Sequence, residues 1–164
     1  MRTGISQQVP VHSAMKTFNT HSAEETTQLG RSLAGNLKAG SIVLLRGDLG
    51  AGKTTLVKGI AEAFHAAEAD AVTSPTFTLI HEYRGPEVTL YHIDLYRIDT
   101  QRELDTLALD DLMEPHTILL IEWGEKFERF QRERDVEIEI AIEHLGGDER
   151  NIRVEPASSS GGKS

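Results

Sequence analysis

The sequence predicts a three-layer α/β fold whose mixed sheet is parallel in the middle and antiparallel at its edges. Two short apolar runs, Ile42–Leu45 and Ile118–Ile121, are typical of strands buried on both faces, as in a parallel sheet. Helical patterns precede and follow the first run, and such alternation places helices against the faces of a sheet. Segments of alternating apolar and polar residues, joined by glycine-containing turns, predict antiparallel hairpins at the margins.

The composition favours one domain. The chain has 164 residues, of which 38% are hydrophobic and 26% are charged, and these values are ordinary for a water-soluble protein. We expect residues 17–156 to form this domain, with a disordered segment at residues 1–16 and a flexible Ser/Gly-rich tail at residues 157–164. The sequence shows no signal segment and no apolar run long enough to cross a membrane, which predicts a cytoplasmic protein.

Charge and cysteine content exclude several classes of function. The 26 acidic and 17 basic residues give a net charge of −9, which opposes non-specific attraction to nucleic acid. We therefore expect any contact with RNA to be made through a partner. The absence of cysteine excludes disulfides, thiolate metal sites and a cysteine nucleophile.

The segment Gly47–Thr54 fits the phosphate-binding pattern G-x-x-x-x-G-K-[S/T] and directly follows the first apolar run. Its glycines let consecutive backbone N–H groups point at phosphate oxygens, at the N-terminus of the following helix. In such a loop the lysine, here Lys53, reaches the β- and γ-phosphates, and the hydroxyl of Thr54 binds Mg²⁺. The motif therefore predicts nucleotide binding and a P-loop NTPase-like fold.

Two helices are predicted around the P-loop strand. The first begins at the capping box Ser22–Glu25 and, because leucines recur every fourth residue, is expected to run for about four turns to Gly40. The second follows the loop, where apolar residues at helical spacing face the sheet: Leu56, Val57, Ile60, Ala61 and Phe64. The order strand, loop, helix is the one that a P-loop requires.

Two hairpins are predicted in the second half of the chain. Thr76–Tyr83 and Val88–Leu95 are expected to be antiparallel strands joined by a turn that contains Gly and Pro. The alternating segment from Val136 ends at a Gly-Gly-Asp turn and pairs with a last strand near the C-terminus. Between the hairpins, a capping box at Thr100–Glu103 opens a short helix, and Thr117–Trp123 is expected to lie beside the P-loop strand.

Two carboxylates are candidates for the chemistry beside the phosphates. Glu122 ends the second apolar run, where a P-loop NTPase carries an acid that helps to hold Mg²⁺ or to orient the attacking group. The alternative for Glu122 is a solvated acid at a strand end. Asp94 ends a strand of the first hairpin, and a structural ion pair with the nearby Arg97 is the alternative for it.

The remaining polar and aromatic features have ordinary structural explanations. Ser74–Phe77 offers a threonine hydroxyl that can meet the metal or the γ-phosphate, but a turn before a strand explains the segment equally well. The histidines show no metal-ligand spacing, and His81 and His92, expected on facing strands, are assigned to surface or packing roles. Trp123, the only tryptophan, is assigned to core packing. No metal other than Mg²⁺ is predicted.

Four motifs, in order, resemble the bacterial TsaE (YjeE) family of P-loop ATPases, and the similarity extends over about residues 18–156. The motifs are GDLGAGKTT at Gly47–Thr55, SPTF at Ser74–Phe77, YHIDLYR at Tyr91–Arg97 and IEWGE at Ile121–Glu125. The resemblance implies an ATPase that works with the TsaB and TsaD proteins in making N6-threonylcarbamoyladenosine on tRNA, without itself transferring the threonylcarbamoyl group. Family members often have proline at the position of Gly124, so the loop after Trp123 is expected to be less rigid here.

The resemblance also implies roles for individual residues. Glu122 and Thr54 would hold Mg²⁺, Asp94 corresponds to a second acid that the ATPase requires, and Ser74–Phe77 corresponds to a switch-like loop. Thr20 and Ser22, at the start of the first helix, are candidate neighbours of the base. ATP would be bound by the loop residues Gly50, Ala51, Gly52, Lys53, Thr54 and Thr55.

We expect the isolated chain to hydrolyse ATP slowly and to be activated in the complex. Phosphoryl transfer needs a charge-stabilising group, often an arginine, held away from water. Arg97 is the nearest candidate, but it is equally well explained as a partner of Asp94. tRNA would be contacted indirectly, through the complex, and no membrane is involved.

Two other functions fit a P-loop. A small-molecule kinase needs an acceptor pocket and usually an arginine-bearing lid, whereas the segment after Glu122 predicts a short helix and an acidic hairpin. A nucleotide-controlled binding module would hydrolyse ATP only incidentally. A GTPase is disfavoured because the chain has no guanine-reading N-K-x-D motif.

Overall fold

The computed structural model describes residues 15–48, 50–132 and 136–156. The strands, numbered along the chain, are β1 (Lys16–Thr20), β2 (Ile42–Arg46), β3 (Ile80–Arg84), β4 (Thr89–Asp94), β5 (Thr117–Glu122), β6 (Val136–Gly146) and β7 (Glu149–Pro156). The helices are α1 (Ala23–Ala34), α2 (Lys53–Ala63), α3 (Gln101–Thr106) and α4 (Glu128–Arg132). Short 3₁₀ turns lie at Ala69–Ala71, Leu109–Leu112 and Gly124–Lys126. Among these helices none has the length and apolar character of a membrane span.

The strands form one seven-stranded mixed sheet in the order β1-β7-β6-β2-β5-β4-β3. The P-loop strand β2 is parallel to β5 on one side and to β6 on the other, and β5 is also parallel to β4. The pairs β3/β4, β6/β7 and β1/β7 are antiparallel. The predicted sheet, with β5 beside the P-loop strand and hairpins at the margins, is confirmed.

Two hydrophobic clusters on opposite faces of the sheet give the fold its three layers. On one face, α1 and α2 pack against Val43 and Leu45 of β2 and their neighbours. On the other face, Ile42 and Leu44 pack with residues of α3, α4 and the turn at Leu109–Leu112. Because successive side chains of a strand point to opposite faces, β2 supplies both clusters, which explains its wholly apolar run. The predicted three-layer fold is confirmed.

Both predicted helix starts are confirmed. The hydroxyl of Ser22 accepts a hydrogen bond from the Glu25 N–H at 3.0 Å, and the hydroxyl of Thr100 accepts one from the Glu103 N–H at 3.1 Å. The Glu103 carboxylate in turn accepts a hydrogen bond from the Thr100 N–H, which completes the capping box. The Glu25 carboxylate accepts instead from the N–H of His21 at 2.8 Å.

The first helix is shorter than predicted. It ends at Ala34, before the expected stop at Gly40. The N–H groups of Asn36 and Leu37 bond to the carbonyls of the third residue before each, so the chain tightens and leaves the helix there. Leu37 is nevertheless buried in the cluster on the α1/α2 face, which explains why the apolar spacing continues beyond the helix.

Two strand boundaries also differ from the prediction. Strand β3 begins at Ile80 and not at Thr76, because Leu79 has a φ of +74° and donates its N–H to the Pro75 carbonyl in a turn. Strand β1 was not predicted, since its outer residues are largely exposed and its pairing partner β7 is distant in sequence. It begins at Lys16, the last residue of the predicted N-terminal segment. Residues 1–14 of that segment and the tail at 157–164 lie outside the described residues.

Two glycines allow α1 and α2 to cross in close contact. A Cβ atom added at Gly30 would overlap the carbonyl oxygen of Leu56, and one added at Gly59 would overlap that of Thr27. Both oxygens belong to helix backbone, so they cannot move aside as the end of a flexible side chain could. The two helices therefore depend on these glycines for their packing, and α2 carries the first residues after the P-loop.

We expect Gly59→Ala to lower stability, although alanine favours a helix over glycine by about 1 kcal/mol. Overlap with backbone forces the helices apart, and overpacking of this kind costs about 1–3 kcal/mol or more. The melting temperature should fall by at least about 3 °C, as measured by thermal denaturation. Lys58→Ala, in the same helix at a half-exposed position, is the control and should change little. An unchanged melting temperature for Gly59→Ala would contradict the close crossing.

Candidate nucleotide-binding site

The carboxyl ends of parallel strands and the P-loop meet at one edge of the sheet. Glu122, at the end of β5, is in register with Leu45 of β2 and with Asp94 of β4. The two predicted carboxylates therefore lie on neighbouring strands beside the loop. Asp94 is 1% exposed and Glu122 is 4% exposed, so Glu122 is not the solvated strand-end acid of the alternative interpretation.

The P-loop leaves the N-terminus of α2 open to an anion. Gly50 and Gly52 have φ angles of +80° and +113°, which glycine adopts without strain. Gly52 is the N-cap residue of α2, and no side chain caps the helix within the described residues, which omit Leu49. The N–H of Ala51 donates to the Asp48 carbonyl inside the loop. Uncapped N–H groups and the helix dipole together favour a phosphate group at this point.

Lys53 is folded back onto its own loop. Its side chain is buried, and Nζ donates to the Gly47 carbonyl and lies 3.5 Å from Oε1 of Glu122. The ammonium also lies 4.8 Å from the centroid of the Trp123 ring, a cation–π contact. A phosphate group that enters the loop therefore competes with Glu122 for this ammonium.

Both carboxylate oxygens of Glu122 are held. Oε2 lies 2.6 Å from Nε2 of His92, and Oε1 faces Lys53. Burial by itself raises the pKa of Glu122, but the hydrogen bond and electrostatic interaction with His92 and the charge of Lys53 outweigh burial and lower that pKa below its usual value. Glu122 is therefore ionised at neutral pH.

Asp94 is hydrogen-bonded and, among the described residues, has no ion-pair partner. Its Oδ2 accepts from the Thr76 hydroxyl at 3.1 Å, and its Oδ1 accepts from the Tyr96 N–H at 2.9 Å. Arg97 lies over the ring of Phe77 instead, with its guanidinium carbon 5.2 Å from the ring centroid. Within residues 15–48, 50–132 and 136–156, Arg97 makes no ion pair with Asp94, so the structural ion pair proposed from the sequence is wrong.

The Ser74–Phe77 loop joins the site through one hydroxyl. The Ser74 hydroxyl lies 2.8 Å from that of Thr76, which donates to Asp94. At the other end of the loop, Phe77 is 81% exposed. The segment is thus a turn with a direct contact to a site carboxylate, and its switching stays a prediction.

Thr54 and Thr55 lie in the first turn of α2 with half-buried side chains. In the part of the chain that the structure describes, neither hydroxyl has a hydrogen-bond partner. Hydroxyl and carboxylate oxygens are the ligands that Mg²⁺ prefers in proteins. A free Thr54 hydroxyl and an ionised Glu122 at the same end of the sheet therefore fit a magnesium ion.

Sequence reasoning missed two residues at this site. His92, for which the sequence predicts a surface or packing role, is wholly buried, in agreement with packing, but it also bonds to Glu122, which was not predicted. Its position two residues before Asp94, on the same face of the strand, was a signal that could have identified it. Arg150 of β7 donates from Nε to the Ala51 carbonyl at 2.6 Å, across 99 residues of sequence. No local pattern indicates that contact.

Trp123 contacts both the core and the site. It packs partly against the cluster on the α3/α4 face, as predicted, and its ring centroid lies 5.2 Å from that of Tyr96. The same ring covers the Lys53 ammonium. The next residue, Gly124, packs so closely that a Cβ atom there would lie 2.9 Å from the Leu44 side chain.

The hydroxyls of Thr20 and Ser22 are engaged at the start of α1. Thr20 Oγ1 lies 2.7 Å from the hydroxyl of Thr26, and Ser22 caps the helix through the Glu25 N–H. Their place beside the base stays a prediction. A groove of about 370 Å³ opens beside the P-loop, and its lining includes Gly47, Asp48 and Trp123. A larger cavity of about 560 Å³, lined by residues near the ends of α1 and α2, contains none of the predicted site residues.

The chain matches known proteins over most of its length. The family model described as threonylcarbamoyl adenosine biosynthesis protein TsaE matches residues 20–152. The tRNA threonylcarbamoyladenosine biosynthesis protein TsaE of Bacillus subtilis is 39% identical over 136 residues, which cover 82% of each chain. The protein of the same name from Aquifex aeolicus is 36% identical over 140 residues, covering 85% of this chain and 96% of that protein.

A solved structure has a similar fold to this chain. The crystal structure of YdiB from Bacillus subtilis superposes with a TM-score of 0.66 at 32% identity, over 89% of this chain and 88% of that chain. The family model and the relatives together span the P-loop, both carboxylates and nearly every strand of the sheet. The chain therefore belongs to the TsaE family.

Proposed function

We propose that this protein binds ATP with Mg²⁺ at the P-loop and hydrolyses ATP in the biosynthesis of N6-threonylcarbamoyladenosine on tRNA. The observation that carries the proposal is the convergence of an uncapped helix N-terminus, a buried lysine and two buried carboxylates at one edge of the sheet. A P-loop with acids at the ends of neighbouring strands is the arrangement that NTPases use. Membership of the TsaE family supports the process, because the names of the relatives specify it.

ATP binding begins with an exchange of partners at Lys53. The residues Gly50–Thr55 surround the triphosphate with backbone N–H groups, and the Lys53 ammonium pairs with the β- and γ-phosphates. Since this ammonium lies 3.5 Å from Oε1 of Glu122, its pairing with the phosphates would draw it away from that carboxylate. Glu122 then has one oxygen free on the side of the loop.

The remaining groups are suited to a magnesium nucleotide. The Thr54 hydroxyl and Glu122 would hold Mg²⁺, which, when bound, neutralises charge on the phosphate oxygens. Asp94, fixed by the Thr76 hydroxyl and the Tyr96 N–H, orients the attacking water. Both carboxylates are buried, so their charges act in a site where water screens them little.

Hydrolysis by the isolated chain should be slow, because two candidate arginines, Arg97 and Arg150, are engaged elsewhere. Arg97 stacks on Phe77, and Arg150 donates to the Ala51 carbonyl. We propose that a complex of TsaB and TsaD orders or supplies the missing charge-stabilising group. With a net charge of −9, the chain would meet tRNA mainly through that complex.

The experiment measures phosphate release with and without TsaB–TsaD, and tRNA binding by the isolated chain at about physiological salt. We expect at least about tenfold stimulation, since a charge-stabilising arginine alone contributes ~10³–10⁵ in rate. Lys53→Ala in the same mixture is the control and should show no stimulation. No stimulation of the unaltered chain, or a submicromolar dissociation constant for tRNA, would contradict this division of roles.

The same assay separates the other functions that the P-loop permits. A small-molecule kinase would form ADP without an equal amount of inorganic phosphate, because the phosphoryl group would remain on the acceptor. A nucleotide-controlled binding module would bind its partner in the presence of ATP without faster phosphate release.

A further inference from the structure

His92 lies directly behind the carboxylate of Glu122. It is on β4, in register with Leu120 of β5, just as Asp94 is in register with Glu122. Because side chains two positions apart share a face of the sheet, His92, Asp94 and Glu122 project from the same face. The His92 side chain is wholly buried, and its Nε2 lies 2.6 Å from Oε2 of Glu122.

The hydrogen bond between these residues has one direction. An ionised carboxylate can only accept, so Nε2 of His92 donates its hydrogen to Oε2. The other ring nitrogen, Nδ1, is buried and has no hydrogen-bond partner among the described residues. Glu122 is thus the only hydrogen-bond partner of the His92 side chain in that part of the chain.

Packing alone does not account for a histidine at this position. The strands around it supply Leu90, Ile118 and Leu120 to the hydrophobic cluster on the same face. An apolar side chain would pack there without leaving a buried nitrogen unpaired, which costs free energy. The bond to Glu122 is the compensating interaction, and it acts on a carboxylate of the candidate site.

We infer that His92 is a positioning residue for ATP hydrolysis: its Nε2–H fixes Oε2 of Glu122 so that Oε1 faces the P-loop. Oε1 is the oxygen that lies 3.5 Å from Lys53 Nζ. Without His92 the carboxylate is free to rotate, because the terminal torsion of glutamate is broad. A displacement of about 1 Å in a site of this kind can cost ~100-fold in rate. This inference rests on the proposed function.

The test compares His92→Gln with His92→Asn in the full chain. The amide nitrogen of glutamine stands at about the same number of bonds from the backbone as Nε2 of histidine, whereas that of asparagine corresponds to Nδ1 and stops short of Glu122. The two variants carry the same amide group and differ in its reach. For each we would measure kcat for ATP, the dissociation constant of ATP with Mg²⁺ and with EDTA by calorimetry, and the melting temperature.

We expect His92→Asn to lower kcat by at least about tenfold, while the dissociation constant of ATP in EDTA changes less than about threefold. The gain in ATP affinity on adding Mg²⁺ should shrink in His92→Asn and persist in His92→Gln, which should also keep most of the kcat. If the unaltered chain and both variants have equal kcat, or if both variants lose kcat equally, His92 has a packing role only. If His92→Asn does not fold, His92→Leu replaces it with the same expectations.

A double variant separates this inference from the proposed function itself. If His92 acts through Glu122, adding His92→Asn to Glu122→Gln should cost little further turnover. Fully additive losses would contradict the inference. If the unaltered chain releases no phosphate from ATP, or Lys53→Ala releases as much as the unaltered chain, the proposed function fails. If Glu122→Gln leaves turnover unchanged, or a slow Glu122→Gln stands beside a fully active His92→Asn, the inference on His92 fails while the proposed function stands.

Discussion

Replacement of Lys53 by alanine is expected to abolish tight ATP binding, raising the dissociation constant by about 10–100-fold or more. The side chain supplies the one ammonium that the P-loop directs at the β- and γ-phosphates. Hydrogen bonds to a charged group contribute about 1.5–3 kcal/mol each, which corresponds to this range.

The contacts of the Lys53 side chain refine the expected size of the effect. Lys53 already bonds to the Gly47 carbonyl and lies 3.5 Å from Glu122, so ATP gains only the difference between two sets of partners. In Lys53→Ala, however, the Glu122 carboxylate faces the phosphates without an intervening positive charge. Repulsion between these anions adds to the lost attraction, so we expect the upper end of the range.

Calorimetry and thermal shift measure this prediction together. ATP with Mg²⁺ at about 100 times its dissociation constant should stabilise the unaltered chain by ~2.7 kcal/mol, and Lys53→Ala should show little of that shift. Lys58→Ala removes a lysine from the same helix, at a half-exposed position away from the loop, and should bind ATP normally. A folded Lys53→Ala with unchanged affinity would show that the loop does not bind phosphate.

The parts of this site that the sequence could predict depend on contiguous patterns. Gly47–Thr54 is a single segment, and its chemistry follows from residue types at fixed spacing. The place of Glu122 follows from the buried run before it, because the ends of parallel strands meet at one edge of a sheet. The mixed sheet followed from the same local signals, namely apolar runs in its centre and alternation in its hairpins.

The parts that could not be predicted depend on contacts between distant segments. Arg150 reaches the Ala51 carbonyl only because β7 pairs with β6 beside the P-loop strand. The turn at Leu79 replaces the first predicted residues of β3 because Leu79 has a φ of +74° and donates its N–H to the Pro75 carbonyl, a conformation that strand propensity does not include. The role of His92 required knowing which strand lies next to β5.

Glu122→Gln is expected to keep ATP binding and to lower turnover by at least about 100-fold, within the range that loss of a catalytic acid or base produces. An amide has nearly the same shape as the carboxylate but lacks the negative charge that helps to hold Mg²⁺ or to orient the attacking water. His92 donates to the position of Oε2, so the amide oxygen should occupy that position and the amide nitrogen should face Lys53. ATP then separates no ion pair when it binds, so its affinity in EDTA should rise. The further gain in affinity on adding Mg²⁺ should shrink, because a carboxylate ligand of the metal is lost.

The control for Glu122→Gln is Glu125→Gln. Glu125 lies in the 3₁₀ turn after β5, three residues beyond Glu122, and is 3.9 Å from Arg46 rather than beside Lys53. This change should leave both turnover and ATP affinity close to those of the unaltered chain. Unchanged turnover in Glu122→Gln would remove Glu122 from the chemistry, and a fall in turnover matched by weaker ATP binding would assign it to binding alone.

The pH dependence of stability gives an independent measure of the same carboxylate. The pKa of Glu122 is lowered in the folded protein, so its ionised form stabilises the fold at pH values above the pKa of the unfolded chain. That contribution to stability is lost as the pH falls through the pKa of Glu122 in the folded protein.

Glu122→Gln lacks this contribution, and it also leaves the buried Lys53 ammonium without its ion-pair partner when ATP is absent. The melting temperature of nucleotide-free Glu122→Gln should therefore lie below that of the unaltered chain at neutral pH, and the difference should narrow as the pH is lowered. If the difference in melting temperature stays constant as the pH is lowered from neutrality to below the folded pKa of Glu122, then Glu122 does not stabilise the folded protein through its charge.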